Sequence, residues 1–376
     1  MIRRVLKPGE QRECVFKLKT RQATWAVWSL VWLVMLSATS VPAVGQDKPR
    51  VAVITTGGTI AQKTDPKTGQ AVPTLGADQL LESVPGLKGI ADIVITEVAN
   101  IDSRDMQPSQ WLAIARAVAK AAADPAIAGV VVVHGTDTME DTGYFLELTR
   151  HTDKPIVLTG SMRDASSPWP DGPLNLLNAV RQAADPRSAG RGVTLTLNGR
   201  IIAANAARKV DAGNIDTFDG GSWGWLGTVE GNKVYWRARP DRGQSFDLPG
   251  ALPSVPVVMD YPGSTGALLD AAVANKAAGV VVVGYGIGNV SHPMYDAIAR
   301  ARAKGVPILV TSRVNRGQIR PAYGGEGGGA SLQKLGAILS PINDPGKARI
   351  ALMLALAEKA AHDPAALTVR LQRSGP

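Results

Sequence analysis

Residues 51–61 read VAVITTGGTIA: four apolar residues run directly into two threonines, two glycines and a third threonine. An apolar run this short, bounded by turn residues, predicts a strand buried on both faces, the kind found in the parallel sheets of α/β folds. In such sheets ligands bind in the crevice beyond the carboxyl ends of the strands. Gly57 and Gly58 let the chain turn with positive φ and let a substrate approach without meeting a Cβ. Either Thr56 or Thr59 would then face the crevice.

The pattern recurs along the chain. Runs at residues 92–98, 130–133 and 155–158 read as strands, separated by helical stretches at 78–84, 108–123 and 171–184, the second opened by proline in its first turn. Residues 192–234 are less regular and predict shorter or antiparallel strands. Residues 237–256 hold four prolines and two glycines with no periodicity, which marks a linker. Beyond it, strands are expected at 256–259, 279–283 and 306–310, with helices at 265–276, 294–304 and 346–361. The fold class predicted is α/β, with a larger N-terminal doubly wound sheet and a smaller C-terminal parallel sheet. The domains expected are 46–240 (catalytic), a linker at 241–255, and 256–376. The runs AIAGVVVVHGT and KAAGVVVVGYG, one in each half, are closely alike. Residues 62–74 are too rich in Pro, Gly and Thr to predict regular structure and read as a lid beside the crevice.

Residues 1–45 stand apart. Seven basic side chains, from Arg3 to Arg21, precede a mostly apolar run at 23–36, the pattern of a secretory signal, with cleavage expected before Gln46 and the mature protein periplasmic or secreted. Without this segment the chain carries 34 basic against 30 acidic residues, a balance of +4 rather than +9. So dispersed a charge argues against nucleic-acid binding, and cleavage leaves no stable membrane association. The single cysteine, Cys14, leaves with the leader, so neither disulfides nor thiol catalysis is expected.

Three loops follow predicted strands and carry reactive groups: residues 55–59 (TTGGT), 103–105 (SRD) and 135–138 (GTDT). Parallel, adjacent strands would bring all three to one edge of the sheet. His134, His151, His292 and His362 lack metal-ligand spacing, no G-x-S-x-G elbow is present, and TTGGT is neither a P-loop nor a dinucleotide fingerprint. A threonine nucleophile remains, and it needs an activating group such as aspartate or lysine.

TGGTIA (56–61) and HGTDTMEDT (134–142) together resemble the bacterial-type L-asparaginase family, its periplasmic type II branch in particular. NIDSRDM (100–106), DGPLNLLNAV (171–180) and DPGKAR (344–349) support the resemblance, which spans nearly all of the chain after the leader. It implies an amidohydrolase that converts L-asparagine to L-aspartate and ammonia without metal or organic cofactor, as a homotetramer. The positions that match the family's catalytic groups are Thr59 as nucleophile, Thr136, Asp137 and, by its spacing from residues 216–218, Lys209. Ser103 and Asp137 match groups that hold the substrate's α-carboxylate and α-amine. Arg104 stands beside them, where the family commonly has glutamine. Glu326, in GGEGGGAS, occupies the stretch from which a neighbouring subunit's glutamate reaches the amine. No tyrosine occurs in residues 62–74, where the family carries a helper tyrosine near the place of Gln70. With these departures, glutamine remains a second candidate substrate, and a binding homologue of low activity is the remaining alternative.

Overall fold

The computed structural model describes residues 48–372, apart from 66, 69–70, 74–75, 241–242, 244 and 359–363; the expected leader, Cys14, Gln46, Gln70 and His362 lie outside the described residues. The N-terminal strands are β1 (Arg50–Gly57), β2 (Gln62–Thr64), β3 (Ala71–Pro73), β4 (Asp92–Ile101), β5 (Ile127–Val133), β6 (Ile156–Thr159), β7 (Val193–Leu197), β8 (Arg200–Ala203), β9 (Arg208–Lys209), β10 (Phe218–Asp219), β11 (Gly227–Glu230) and β12 (Lys233–Trp236). Eight of them form one sheet in the order β12-β11-β8-β7-β6-β5-β1-β4. The pairs from β4 through β7 are parallel, while β7-β8, β8-β11 and β11-β12 are antiparallel, so the irregular stretch does supply the antiparallel edge. β13 (Val257–Met259), β14 (Val280–Gly284), β15 (Ile308–Ser312) and β16 (Ile338–Leu339) form a second, wholly parallel sheet in chain order.

The apolar runs are strands because each has a core on both faces. Ala52, Ile54, Val130 and Val132 point to one, with Trp111, Ile114 and Phe145 from the helices Pro108–Ala123 and Met139–Thr149. Val51, Val53, Val131 and Val133, one residue out of step, point to the other, with Leu176, Ala179 and Val180 from the helix Gly172–Ala184. That alternation is the two-residue period of a strand. The helix Pro345–Ala357 joins the first core too, since Ile350, Leu352 and Leu354 pack there together with Val281 and Leu309 of the second sheet.

Two expectations need correction. Residues 62–74 contain a short hairpin, with Lys63 opposite Val72 in the β2-β3 pair; cross-strand pairing supplies what local composition does not. The last long helix ends at Ala357, and a separate helix, Pro364–Gln372, follows the proline that begins it.

Candidate active site

β1 lies between β4 and β5, parallel to both, and each of the three strands ends in a single 3-10 turn: Thr59–Ala61 after β1, Ser103–Asp105 after β4 and Thr136–Thr138 after β5. The three loops singled out in the sequence therefore meet at one sheet edge. Their approach depends on glycine. Gly58 has φ +90°, and a Cβ there would lie 2.5 Å from the Cα and N of Gly135. Gly57, at φ +97°, would drive a Cβ to 2.6 Å from the main chain of Ile101. Any side chain at either position would push the strand ends apart.

Between the turns is a cavity of about 510 Å³, whose lining includes Thr59, Ser103, Arg104, Thr136 and Asp137. The two threonines that residue pattern alone left open, and between which the family resemblance points to Thr59, have different surroundings. Thr56 is 1 % exposed and its hydroxyl donates to the Val133 carbonyl at 3.0 Å, whereas Thr59 is half-buried and opens on the cavity. Ser103 Oγ accepts the Asp137 main-chain N–H at 3.2 Å, which leaves its own proton to offer to a ligand. The Thr138 hydroxyl donates to the Ser103 carbonyl at 2.7 Å and ties the β4 turn to the β5 turn.

Lys209 comes from β9, outside the cavity lining, yet its ammonium lies 3.0 Å from Thr136 Oγ1 and 2.6 Å from Asp137 Oδ1. With a charged donor at its oxygen, the Thr136 hydroxyl must donate onward, and its acceptor is Met162 Sδ at 3.3 Å. A thioether is a weak acceptor, so that proton is easily redirected to a ligand. Asp137 is 61 % exposed at its side chain and keeps free carboxylate surface toward the opening.

Behind the turns two side chains set the main chain. His134 is fully buried, with Nδ1 2.7 Å from the Gly135 carbonyl, an atom that only accepts; the proton therefore sits on Nδ1, and Nε2 accepts from Thr142 Oγ1 at 2.9 Å. Burial holds its pKa down to about 4, so it is neutral and brackets Gly135 as a structural residue. Asp171 accepts from Ser161 Oγ at 2.8 Å, Met162 N at 3.1 Å, Arg163 N at 2.9 Å and Asn175 Nδ2 at 3.0 Å, which fixes the loop that presents Met162.

Sequence reasoning named Arg104 on the rim but missed its partners there. Gln62, at the start of β2, donates through Nε2 to Asp102 Oδ1, while Asp102 Oδ2 pairs with Arg104 at 2.7 Å. Arg104 lines the cavity mouth with its side chain 71 % exposed. Asp102 stood in view beside Ser103, but nothing about a glutamine in a polar loop marks it as a partner. Glu326 does not line this cavity; it is exposed and lies 3.2 Å from His292 Nδ1. Among the described residues no group of three or more His, Cys, Asp or Glu is arranged to hold a metal ion.

Comparison with known proteins places this architecture. Residues 50–242 match the family model "Asparaginase, N-terminal" and residues 254–367 match "Glutaminase/Asparaginase C-terminal domain". The chain is 35 % identical over 320 residues to a probable periplasmic L-asparaginase of Haemophilus influenzae, covering 83 % of this chain and 90 % of that one. It is 35 % identical over 301 residues to a glutaminase-asparaginase of Pseudomonas aeruginosa, covering 77 % and 83 %. The crystal structure of a probable cytoplasmic L-asparaginase from Campylobacter jejuni superposes with a TM-score of 0.78 at 34 % identity, covering 87 % of this chain and 100 % of that one. With both halves matched in order and the cavity at the shared strand ends, the chain belongs to the asparaginase family.

Proposed function

We propose that this protein is an L-asparaginase that hydrolyses the side-chain amide of L-asparagine to L-aspartate and ammonia through Thr59. The observation that carries the reading is the ammonium of Lys209, which stands behind the cavity lining, 3.0 Å from Thr136 Oγ1 and 2.6 Å from Asp137 Oδ1, two residues that line the cavity on which Thr59 opens. The Thr59 oxygen bonds to the amide carbon, the carbon–nitrogen bond breaks, and the hydroxyl proton leaves with ammonia. Water then splits the ester, returns a proton to Thr59 and releases the new carboxylate. Main-chain N–H groups of the glycine-containing turns suit the oxyanion that develops at each step. Thr136, held by Lys209, orients the attacking water, while Ser103 and Asp137 take the α-carboxylate and α-amine. Arg104 edges the same cavity.

A broader glutaminase-asparaginase is the second reading, favoured by a cavity of about 510 Å³ with an open, polar mouth. One additional methylene in a substrate is discriminated by only about 10- to 200-fold in a site of ordinary selectivity. A binding homologue without turnover is opposed by the Lys209 relay, which binding alone does not require. Ammonia release from asparagine and glutamine by the chain starting at Gln46, with Thr59→Ala as control, tests all three. Loss in Thr59→Ala supports the nucleophile, and the two rates give the selectivity. Binding of asparagine without ammonia release would overturn the enzymatic reading, and loss in Thr56→Ala with activity kept in Thr59→Ala would overturn the choice of Thr59.

The wider reading keeps residues 1–45 as a cleaved export leader to the periplasm, and residues 46–240 and 256–376 as domains joined by 241–255. It takes the active species to be a homotetramer in which Glu326 serves the site of a neighbouring copy. The basic run and apolar run of the leader support export.

A further inference from the structure

Behind Lys209 lies a set of buried charges that the mechanism above leaves unused. Glu140 stands four residues beyond Thr136, in the first turn of the helix Met139–Thr149, and its Oε2 accepts the main-chain N–H of Lys209. The carboxylate thus reaches across 69 residues of sequence to hold the backbone of the relay lysine. Its surroundings come from three directions. On its own helix is Asp141, with Tyr144 beside Asp344 and Lys347. From β9 comes the main chain of Lys209, while Arg208 stands beside Asp344 and the carbonyls of Asn205 and Ala207 lie on Lys347. From the C-terminal half come Asp344, Lys347 and, beside Asp141, Arg349.

These groups are wired together. Asp344 caps the helix Pro345–Ala357 by accepting from Lys347 N at 3.0 Å and pairs with Arg208 at 3.6 Å. Lys347 is 3 % exposed, and its ammonium donates to the carbonyls of Asn205, at 3.2 Å, and Ala207, which lies immediately before Arg208. The segment that delivers Lys209 is therefore gripped from both sides, by Glu140 and by Lys347.

We propose that Glu140 is a positioning residue for Lys209, and that Asp344 and Lys347 make this position responsive to pH and to the seating of the C-terminal helix. The inference rests on the reading of Thr136, Asp137 and Lys209 as the catalytic relay. A main-chain N–H bonded to a carboxylate is held more firmly than one bonded to a neutral acid, because the ionised acceptor makes the stronger bond. Burial and the neighbouring Asp344 push Glu140 up to about 7, and burial raises Asp141 to about 6, while burial lowers Lys347. Near neutrality Glu140 therefore exchanges its proton, and below that range its grip on Lys209 slackens. The Ser103 contact is not touched by this change, while Lys209 bears on Thr136 and Asp137 together, so turnover should respond more than affinity.

The test is kcat and KM for asparagine from pH 5 to 9, with melting temperatures, for the mature chain and for Glu140→Gln, Glu140→Ala and Asp344→Asn. The wild-type chain should lose kcat on the acid side with a midpoint near 7. Glu140→Gln, which keeps an acceptor but cannot titrate, should lose that limb and run several-fold slower at pH 8, with KM changed less than about twofold. Asp344→Asn, which removes a neighbouring negative charge, should move the midpoint to lower pH by about half a unit or more, on the order of the shift one such neighbour produces. Glu140→Ala should lose about 10- to 100-fold in kcat with a much smaller change in KM. If Glu140→Ala does not fold, the Gln and Asn variants still decide. A wild-type pH profile and rate in Glu140→Gln would overturn the proposal while leaving the asparaginase reading intact. No ammonia release by the wild-type chain would overturn both.

Discussion

β5 and β14 are nearly the same strand. Both carry a run of four consecutive valines, wholly buried, between two parallel neighbours. They part company where the sheet ends. β5 leaves it through His134, which commits its ring to Gly135 and Thr142, and then turns Thr136 and Asp137 outward into the cavity. β14 leaves through Gly284 and Tyr285, and the chain closes on itself: Tyr285 N–H donates to the Asn289 carbonyl at 2.7 Å, and the N–H groups of Gly288 and Asn289 return to the Tyr285 carbonyl at 2.9 Å. The Tyr285 ring is covered by the Arg313 guanidinium, 4.9 Å from its centroid. One strand end exports its polar groups, and the other consumes them locally. The apolar run specifies a buried strand; the next few residues decide whether its end becomes a site.

The contrast between the two strand ends breaks most sharply on chemistry. Thr59→Ala or Thr136→Ala should reduce kcat by at least about 10³-fold in ammonia release, while Tyr285→Phe at the end of β14 should stay within about threefold. Equal losses on the two sides would mean that β14 also serves the reaction. The next effect is steric. Gly58→Ala places a Cβ 2.5 Å from Gly135 in a φ +90° conformation, whereas Gly286→Ala, at φ +48°, meets open space. Urea unfolding should show the first change destabilising by about 3 kcal/mol or more and the second by about 1 kcal/mol.

A third test uses acid, since the end of β5 holds a buried neutral histidine. The folded pKa of His134 is about 4 against an ordinary value of 6.5, so between those values the unfolded chain binds the additional proton and stability falls as pH falls. The full loss across that window is of order 3 kcal/mol. Glu140 and Asp141 act in the opposite sense, because their raised folded pKa values give stability that is lost as pH rises toward 6 to 7. The His134 contribution is therefore read as the difference between wild type and His134→Gln in thermal melts from pH 7 to 4, and it should shrink as pH falls. The smallest effect belongs to the rim. Arg104→Gln removes an exposed partner of Asp102, and since exposed ion pairs contribute about 0–1 kcal/mol, KM for asparagine should shift no more than about fivefold with kcat nearly unchanged.

The strands that build the site were legible because a Val/Ile run has one stable destination, the middle of a parallel sheet, and because the three polar loops each follow such a run. Thr59 against Thr56 was not decided by spacing; strand register aims Thr56 at the Val133 carbonyl. The β2-β3 hairpin was hidden because its pairing partners, not its composition, make it a strand pair. The Gln62–Asp102 and Glu140–Lys209 contacts were equally hidden, since each joins polar residues 40 and 69 positions apart, and polar residues carry no periodicity that would betray a partner.

Gly58 lies against Gly135 main chain to main chain, with no side chain between the turn that carries Thr59 and the one that carries Thr136. A spacing set in this way does not drift when the residues around it are exchanged. Directed evolution of this enzyme toward other amides would thus find its small steps at the rim, where Gln62, Asp102 and Arg104 meet, and in the hairpin beyond. The distance between the Thr59 and Thr136 turns offers no small step, because every residue larger than glycine at position 58 overshoots it.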